Sequence, residues 1–267
     1  MFALDNYFKR IDYNGSPAAD LATLRRLHEL HPAAIPFENL DVLLNRGIKL
    51  ALPDITTKLL EGGRGGYCFE QNGLLLTVMR QIGFTVEPLL ARVMWRQPPG
   101  TPPGPKSHMV LRTIIDGEAW LVDVGFGGLV LTAPLRMIAD LAQPTQHETF
   151  RLVDIEVGFR LEVELEESWH PIYELSTERT QPIDFEVANW YTSTHPDSRF
   201  RNNLMVARAT PDTRFTLLNN QLSIRERGAA PVKQSLDAVA LAHALAEVFL
   251  LPTSSEWQPV LDRLVQS

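Results

Sequence analysis

Residues 108–125 read HMVLRTIIDGEAWLVDVG. Two runs rich in β-branched and aromatic residues flank the dipeptide Asp116-Gly117, which is typical of a tight hairpin turn. If the turn has two residues, Ile115 faces Glu118 and the two runs pair as antiparallel strands. The stretch therefore predicts a β-hairpin over residues 108–125.

The register of this hairpin brings a histidine and an aspartate onto one face. Counting outward from the turn, Val110 faces Asp123 and His108 faces Gly125. His108 and Asp123 are then diagonal neighbours with Cα atoms about 7–8 Å apart, which an imidazole and a carboxylate can bridge. A four-residue turn keeps this pairing, whereas an odd-length turn without a bulge would not. The plain alternative is that His108 is a sheet residue with its hydrogen bonds satisfied, and that Asp123 caps the end of a strand. Against it, Asp123 interrupts an apolar strand, where an ionised carboxylate needs a partner.

Away from the hairpin, the periodicity of apolar residues divides the 267 residues into three zones. Residues 1–85 have mainly helical patterns, residues 86–195 are strand-like, and residues 196–267 are mixed, so we expect three domains with these bounds. Residues 97–105 read QPPGTPPGP, which predicts a loop leading to His108. A second hairpin is predicted about Asn219-Asn220.

Cys68 is the only cysteine, and it lies in RGGYCFEQN, residues 64–72. A lone cysteine forms no internal disulfide or multi-cysteine zinc site, so Cys68 is either a buried apolar residue or a nucleophile. Two glycines precede it, and helical spacing follows over residues 70–80. Cys68 then lies near a helix N-terminus, where free N–H groups and the helix dipole favour a thiolate. With His108 as base and Asp123 as orienting carboxylate, a Cys-His-Asp relay is complete.

Composition limits the classes of function. The hydrophobic fraction of 45% is typical of a soluble globular protein, and the net charge of −7 argues against a nucleic-acid binder. No stretch is long enough to span a membrane, and the N-terminus lacks a signal-peptide pattern, so we expect a cytoplasmic protein without a membrane partner. His28 and His31 lack acidic or thiolate partners, so we expect no metal site and interpret both as helix-end polar residues.

At this point several motifs together resemble a known family, the arylamine N-acetyltransferases. Residues 64–72 resemble its active-site signature, and IPFENL at residues 35–40 resembles its N-terminal motif. Residues 108–111 and 121–127 resemble the segments that carry the rest of its triad. The similarity covers nearly the whole chain, is strongest from 35 to 130, and resembles the bacterial members.

The resemblance implies an α+β fold with a cysteine-protease/transglutaminase-like core. An N-terminal helical bundle would carry the nucleophile, a central β-barrel-like domain would carry the histidine and aspartate, and a C-terminal α/β lid would follow. It implies acetyl transfer from acetyl-CoA, as co-substrate, to an arylamine or arylhydrazine in xenobiotic metabolism. In this ping-pong route an acetyl-cysteine thioester forms on Cys68, His108 holds the thiolate and manages protons, and Asp123 fixes the tautomer of His108.

Further site residues follow from the same resemblance. The expected CoA-binding residues form a glycine-rich turn beside the pyrophosphate: Gly125, Phe126, Gly127 and Gly128. The expected acceptor-binding residues are aromatic: Phe37, Phe126 and Phe200. The plain alternatives are a strand-end turn for the glycines and ordinary core for the aromatic residues. Glu38 and Arg64 are expected to form a supporting ion pair, and Ser198 to cap a helix or turn.

Two other functions remain open on the residues alone. A papain-like or transglutaminase-like hydrolase would use the same relay, with water or a lysine amine as acceptor, because a triad defines acyl transfer but not the acceptor. A binding module with a buried Cys68 would use no chemistry at all. Nothing in the sequence predicts an oligomeric state.

Overall fold

A computed structural model describes residues 3–98 and 100–266. Its α-helices are Leu4–Arg10 (α1), Leu21–Ala34 (α2), Leu40–Leu43 (α3), Leu52–Thr56 (α4), Cys68–Ile82 (α5), Pro182–Thr194 (α6), Arg199–Asn202 (α7), Ala238–Glu247 (α8) and Gln258–Gln266 (α9). A π-helical turn, Thr57–Glu61, continues α4, and a 3₁₀ turn, Ser255–Trp257, precedes α9. No helix in the described part of the chain is both long and apolar enough to cross a membrane.

Twelve strands among the described residues form two antiparallel sheets. They are Thr85–Val93 (β1), His108–Ile115 (β2), Glu118–Val122 (β3), Leu135–Arg136 (β4), Gln143–Pro144 (β5), Thr149–Ile155 (β6), Gly158–Leu165 (β7), Ser168–Leu175 (β8), Met205–Ala209 (β9), Thr213–Leu218 (β10), Gln221–Glu226 (β11) and Val232–Ser235 (β12). The larger sheet has the order β4-β3-β2-β1-β8-β7-β6-β5 and curls into a nearly closed barrel. The smaller sheet has the order β12-β11-β10-β9.

The central hairpin has the predicted register. Ile115 pairs with Glu118 and Leu111 with Val122. Asp116 and Gly117 have φ angles of 51° and 79°, so the two-residue turn takes the left-handed backbone that matches strand twist. The second predicted hairpin is also confirmed, since Leu218 pairs with Gln221 across Asn219-Asn220.

Helix α5 begins at Cys68, as the spacing of residues 70–80 predicted. The side chain of Glu70 accepts a hydrogen bond of 3.0 Å from the backbone N–H of Tyr67, which satisfies one donor at the helix start. Gly83 ends the helix with a φ of 109°, a conformation that favours glycine. The sequence around Cys68 therefore determines where the helix begins and ends.

Three apolar clusters form the core. One packs α1, α2 and α5 against β1–β3, and it includes Cys68 and Val124. A second lies inside the barrel, and a third packs the smaller sheet against α8 and α9. Leu40 and Leu43 of α3 belong to that third cluster, so an early segment of the chain contacts its C-terminal part.

One feature differs from the expectations, and another lies partly outside the described residues. The zone predicted to be strand-like, residues 86–195, contains a long helix, α6, near its end. The proline-rich stretch 97–105 is a loop wherever it is described, while Pro99 lies outside the described residues. The combination of helices with two antiparallel sheets is the predicted α+β class. The three-domain division at residues 85 and 195 stays a prediction.

Candidate active site

Cys68 occupies the first residue of α5 in a nearly closed environment, with 3% of its surface exposed. Its Sγ lies 3.8 Å from the carbonyl oxygen of Ser107, the residue before His108. The first-turn amides of α5 place partial positive charge beside the sulfur. The position suits a nucleophile that must carry negative charge during a reaction.

His108 and Asp123 form the contact that the hairpin register predicted. His108 Nε2 lies 2.7 Å from Asp123 Oδ2, and both side chains are buried. Burial on its own lowers the pKa of His108, but the charge of Asp123 and hydrogen bonds to Asp123 and Cys68 outweigh it and raise the pKa to about 10. Since Nε2 is engaged by Asp123, Nδ1 is the nitrogen left for the thiol. The structure therefore brings the three predicted catalytic residues together.

Asp123 stays ionised although it is completely buried. Burial raises its pKa, but the charge of His108 and hydrogen bonds from His108, Asn72 and Gly125 lower it below the usual value. The N–H of Gly125 donates to Asp123 Oδ1 at 2.8 Å. Each carboxylate oxygen thus has a donor, which offsets the cost of burying the charge.

Asn72, to which the sequence interpretation assigned no role, contacts the predicted relay. It lies one helical turn after Cys68, and its Nδ2 donates to Asp123 Oδ1 at 2.9 Å and to the carbonyl of Met109 at 2.7 Å. Its Oδ1 accepts from the N–H of Val124 at 3.0 Å. One amide thus joins the helix of the nucleophile to β2 and to the residues that follow β3. The spacing of four residues from Cys68 was the signal that could have indicated this role.

His28 and His31 lie in the C-terminal half of α2, His31 in its last turn, but they are buried rather than exposed at the helix end. Both are completely buried on the inner face of α2. His31 contacts the Tyr7 hydroxyl at 2.9 Å and Gln71 Oε1 at 2.6 Å. Burial lowers the pKa of each histidine to about 4, so both rings are neutral near pH 7. Within the described residues, no group of three or more His, Cys, Asp or Glu side chains could hold a metal ion.

A buried charge cluster lies beneath the Cys68 loop and contains the expected ion pair. Arg64 Nη2 lies 2.7 Å from Glu38 Oε1. Lys58 Nζ lies 2.8 Å from Asp41 Oδ2 and 2.8 Å from Glu70 Oε1. Glu70 caps α5, so the cluster connects the start of the nucleophile helix to the π-helical turn that carries Lys58. The sequence interpretation missed Lys58 and Asp41, which lie outside the quoted motifs.

The predicted CoA-binding residues lie in a loop that touches the nucleophile. We call residues 124–130, between β3 and Leu131, the glycine loop. A Cβ atom on Gly125 would lie 2.7 Å from Cys68 Cα, so the two backbones are in direct contact. Gly127 has a φ of 80° and packs beside the ring of Phe37. Gly128 contacts Thr216 of the smaller sheet, so the loop lies between the two sheets near Cys68.

The predicted acceptor-binding aromatic residues divide into two groups. The rings of Phe37 and Phe200 have centroids 6.1 Å apart, and Tyr67 meets Phe200 edge-on at 5.7 Å. Phe126 instead meets the ring of His108 edge-on at 5.2 Å. Ser198 has its expected role, since its hydroxyl accepts from the N–H of Phe200 at the start of α7.

Known proteins are similar to this chain in sequence and in architecture. The profile of a family described as N-acetyltransferase matches residues 20–257. An arylamine N-acetyltransferase of Escherichia coli is 40% identical over 245 residues, which cover 91% of this chain and 86% of the relative. The chain belongs to the arylamine N-acetyltransferase family. The resemblance stated from the motifs is therefore confirmed.

Solved structures of arylamine N-acetyltransferases have the same fold. The Mycobacterium tuberculosis structure matches with a TM-score of 0.94 at 38% identity, covering 98% of this chain and 100% of that one. The Mycobacterium marinum structure in complex with CoA matches with a TM-score of 0.94 at 36% identity, covering 98% and 99% of the two chains. The predicted architecture of an arylamine N-acetyltransferase, with helices, a barrel-like sheet and a second sheet, is confirmed.

Proposed function

We propose that this protein transfers an acetyl group from acetyl-CoA to the amine of an arylamine or arylhydrazine through an acetyl thioester on Cys68. The observation that carries the proposal is the contact between His108 Nε2 and Asp123 Oδ2, at 2.7 Å, beside a buried cysteine at a helix N-terminus. Membership of the arylamine N-acetyltransferase family supports the donor and the acceptor class.

In the first half-reaction the Cys68 thiolate attacks the acetyl carbonyl of acetyl-CoA. The carbon–sulfur bond to CoA breaks, and the CoA thiolate takes up the proton that His108 holds. Exchange of one thioester for another is nearly balanced in energy, so the protein need only activate and position the thiol. The raised pKa of His108 keeps a proton available for the leaving group.

In the second half-reaction the amine nitrogen attacks the acetyl-Cys68 carbonyl. His108 accepts the proton that the nitrogen loses, and the Cys68 thiolate leaves, which restores the starting ion pair. Asp123 stabilises the imidazolium and fixes the ring through its 2.7 Å contact. A cytoplasmic location and a role in xenobiotic metabolism belong to the same proposal.

The glycine loop is proposed to bind CoA and the aromatic residues to bind the acceptor. Gly125, Phe126, Gly127 and Gly128 would offer backbone N–H groups to the pyrophosphate, since a turn rich in glycine lets phosphate oxygens approach the backbone. The matching Mycobacterium marinum structure is a complex with CoA, which supports a CoA-binding fold. Phe37, Phe126 and Phe200 would present apolar surface to an aromatic amine near Cys68.

Intact-mass analysis after incubation with acetyl-CoA alone tests the proposal. We expect one acetyl group on wild-type protein, none on Cys68→Ser, and release of that group when an arylamine is added. Steady peptide hydrolysis without acetylation of Cys68 would instead favour a hydrolase that uses the same relay. Absence of any adduct under conditions where CoA binds would overturn the ping-pong route.

A further inference from the structure

His28 joins the two ends of the glycine loop through one imidazole ring. Its Nε2 accepts the backbone N–H of Asp123 at 3.1 Å, and its Nδ1 donates to the carbonyl of Leu131 at 3.2 Å. Asp123 and Leu131 are the residues that immediately precede and follow the loop. A side chain on α2 therefore bridges these two ends.

The ring of His28 can make both contacts only in its neutral form. Accepting at one nitrogen and donating at the other requires a single proton, placed on Nδ1. Burial lowers the pKa of His28 to about 4, although the charge of Asp123 and the bond to Leu131 act in the opposite direction. Two buried histidines thus approach Asp123 in different charge states: His108 at the carboxylate and His28 at the backbone amide.

We infer that His28 is a positioning residue that holds both the triad carboxylate and the glycine loop in the geometry needed for acetyl-CoA. The Asp123 end sets where the carboxylate meets His108, and the Leu131 end sets where the loop returns to the core. The inference rests on the proposed function, because it concerns the fit of the loop to acetyl-CoA. The hydrogen bonds of His28 are to the backbone of Asp123 and Leu131, so its effect passes through Asp123 and the loop.

Two substitutions separate the two ends of this bridge. His28→Gln places an acceptor where Nε2 lies and loses the donor to Leu131, whereas His28→Asn keeps a donor near Nδ1 and loses the acceptor for Asp123. Leu24→Val, one turn earlier on α2 and buried in the apolar core, serves as a control for general loss of stability. Each variant is assayed with acetyl-CoA and with p-nitrophenyl acetate, an acetyl ester without a nucleotide.

The readout is the donor ratio, which is kcat/KM with acetyl-CoA divided by kcat/KM with p-nitrophenyl acetate. For His28→Gln we expect KM for acetyl-CoA to rise about tenfold while kcat/KM for the ester changes less than about twofold, because only the loop end is released. For His28→Asn we expect kcat to fall with both donors, since the triad carboxylate is affected. Leu24→Val should leave the donor ratio unchanged.

A purely structural role for His28 would lower activity with both donors by the same factor in both variants, and that result would overturn the inference. Retention of wild-type KM for acetyl-CoA in His28→Gln would also overturn it. The proposed function is checked separately by mass analysis of wild-type protein with each donor. If Cys68 of wild type takes up no acetyl group, the proposed function fails and the inference fails with it. If it does and the donor ratio of His28→Gln stays constant, only the role of His28 is wrong.

Discussion

The backbone of Gly125 packs against the backbone of Cys68, so closely that a Cβ atom on Gly125 would lie 2.7 Å from Cys68 Cα. It would also lie 2.8 Å from Asn72 Nδ2, a donor to Asp123. The position of the glycine loop and the position of α5 therefore depend on each other. A shift in either one would change the distance between the sulfur and an acetyl-CoA molecule bound at the loop as proposed.

Gly125→Ala is the direct test of this contact. The methyl group must push the loop away from α5, and a misplacement of about 1 Å can cost on the order of 100-fold in rate, so we expect kcat/KM for acetyl-CoA to fall by about that factor. The control is Gly73→Ala on the same helix, where the nearest atom to the new methyl group is 3.6 Å away. That variant should keep its activity and gain up to about 1 kcal/mol in free energy of unfolding. Equal activity of both variants would show that the contact does not matter for transfer.

Asp123→Asn is expected to remove most activity without unfolding the protein. The variant removes the charge that does most to raise the pKa of His108, so that pKa should fall and the imidazolium should no longer persist near neutral pH. Loss of kcat by about 10⁴-fold is the scale known for other triads that lose this carboxylate. Steady-state kinetics give the rate, and ¹⁵N chemical shifts of the His108 ring across pH give the pKa. Near-wild-type rates with a folded variant would exclude Asp123 from the relay.

Local signals explain why the sequence predicted so much of the site. The Asp116-Gly117 turn has one favoured backbone, and once it forms, pairing out to Leu111 with Val122 follows by counting, with Asp123 as the next residue. The helix start at Cys68 is likewise determined nearby, by Glu70. These parts of the site needed no information from distant segments.

Other parts of the site and of the fold depend on tertiary contacts that no local sequence pattern predicts. His28 meets Asp123 across 95 residues of sequence, and nothing near His28 indicates that partner. Helix α6 contains Trp190, Tyr191 and Thr192, which favour strands, and it is held in place by contacts such as the hydrogen bond from the Tyr67 hydroxyl to Asn189. Contacts made by the buried face of α6, such as the one at Asn189, therefore override the local preference for a strand.

Asn72→Asp tests whether the amide of Asn72 positions Asp123. The substitution keeps the shape of the side chain but replaces the Nδ2 donor with a carboxylate oxygen beside Asp123 Oδ1, 2.9 Å from the present nitrogen. Repulsion between the two carboxylates should lower kcat by about 100-fold near pH 7.

The same variant should regain part of its activity, relative to wild type, as the pH falls and one of the two carboxylates takes up a proton. Asn72→Leu, which removes the hydrogen bonds without adding charge, is the control and should show no such recovery. Parallel pH profiles for the two variants would contradict the electrostatic explanation.

The raised pKa of His108 predicts a loss of stability at alkaline pH. The ordinary pKa of histidine is about 6.5, and the pKa of folded His108 is about 10, so the folded state binds a proton that the unfolded state releases between these values. The resulting stabilisation is complete below about pH 6.5 and is lost as the pH rises through about 10. Urea unfolding at pH 7, 8.5 and 10 should show a steeper fall in free energy for wild type than for His108→Gln, which has no proton to lose. The other ionisable groups are the same in both proteins, so only the difference between the two curves reports on His108. Curves that run parallel over this range would show that the His108–Asp123 contact contributes no proton-linked stability.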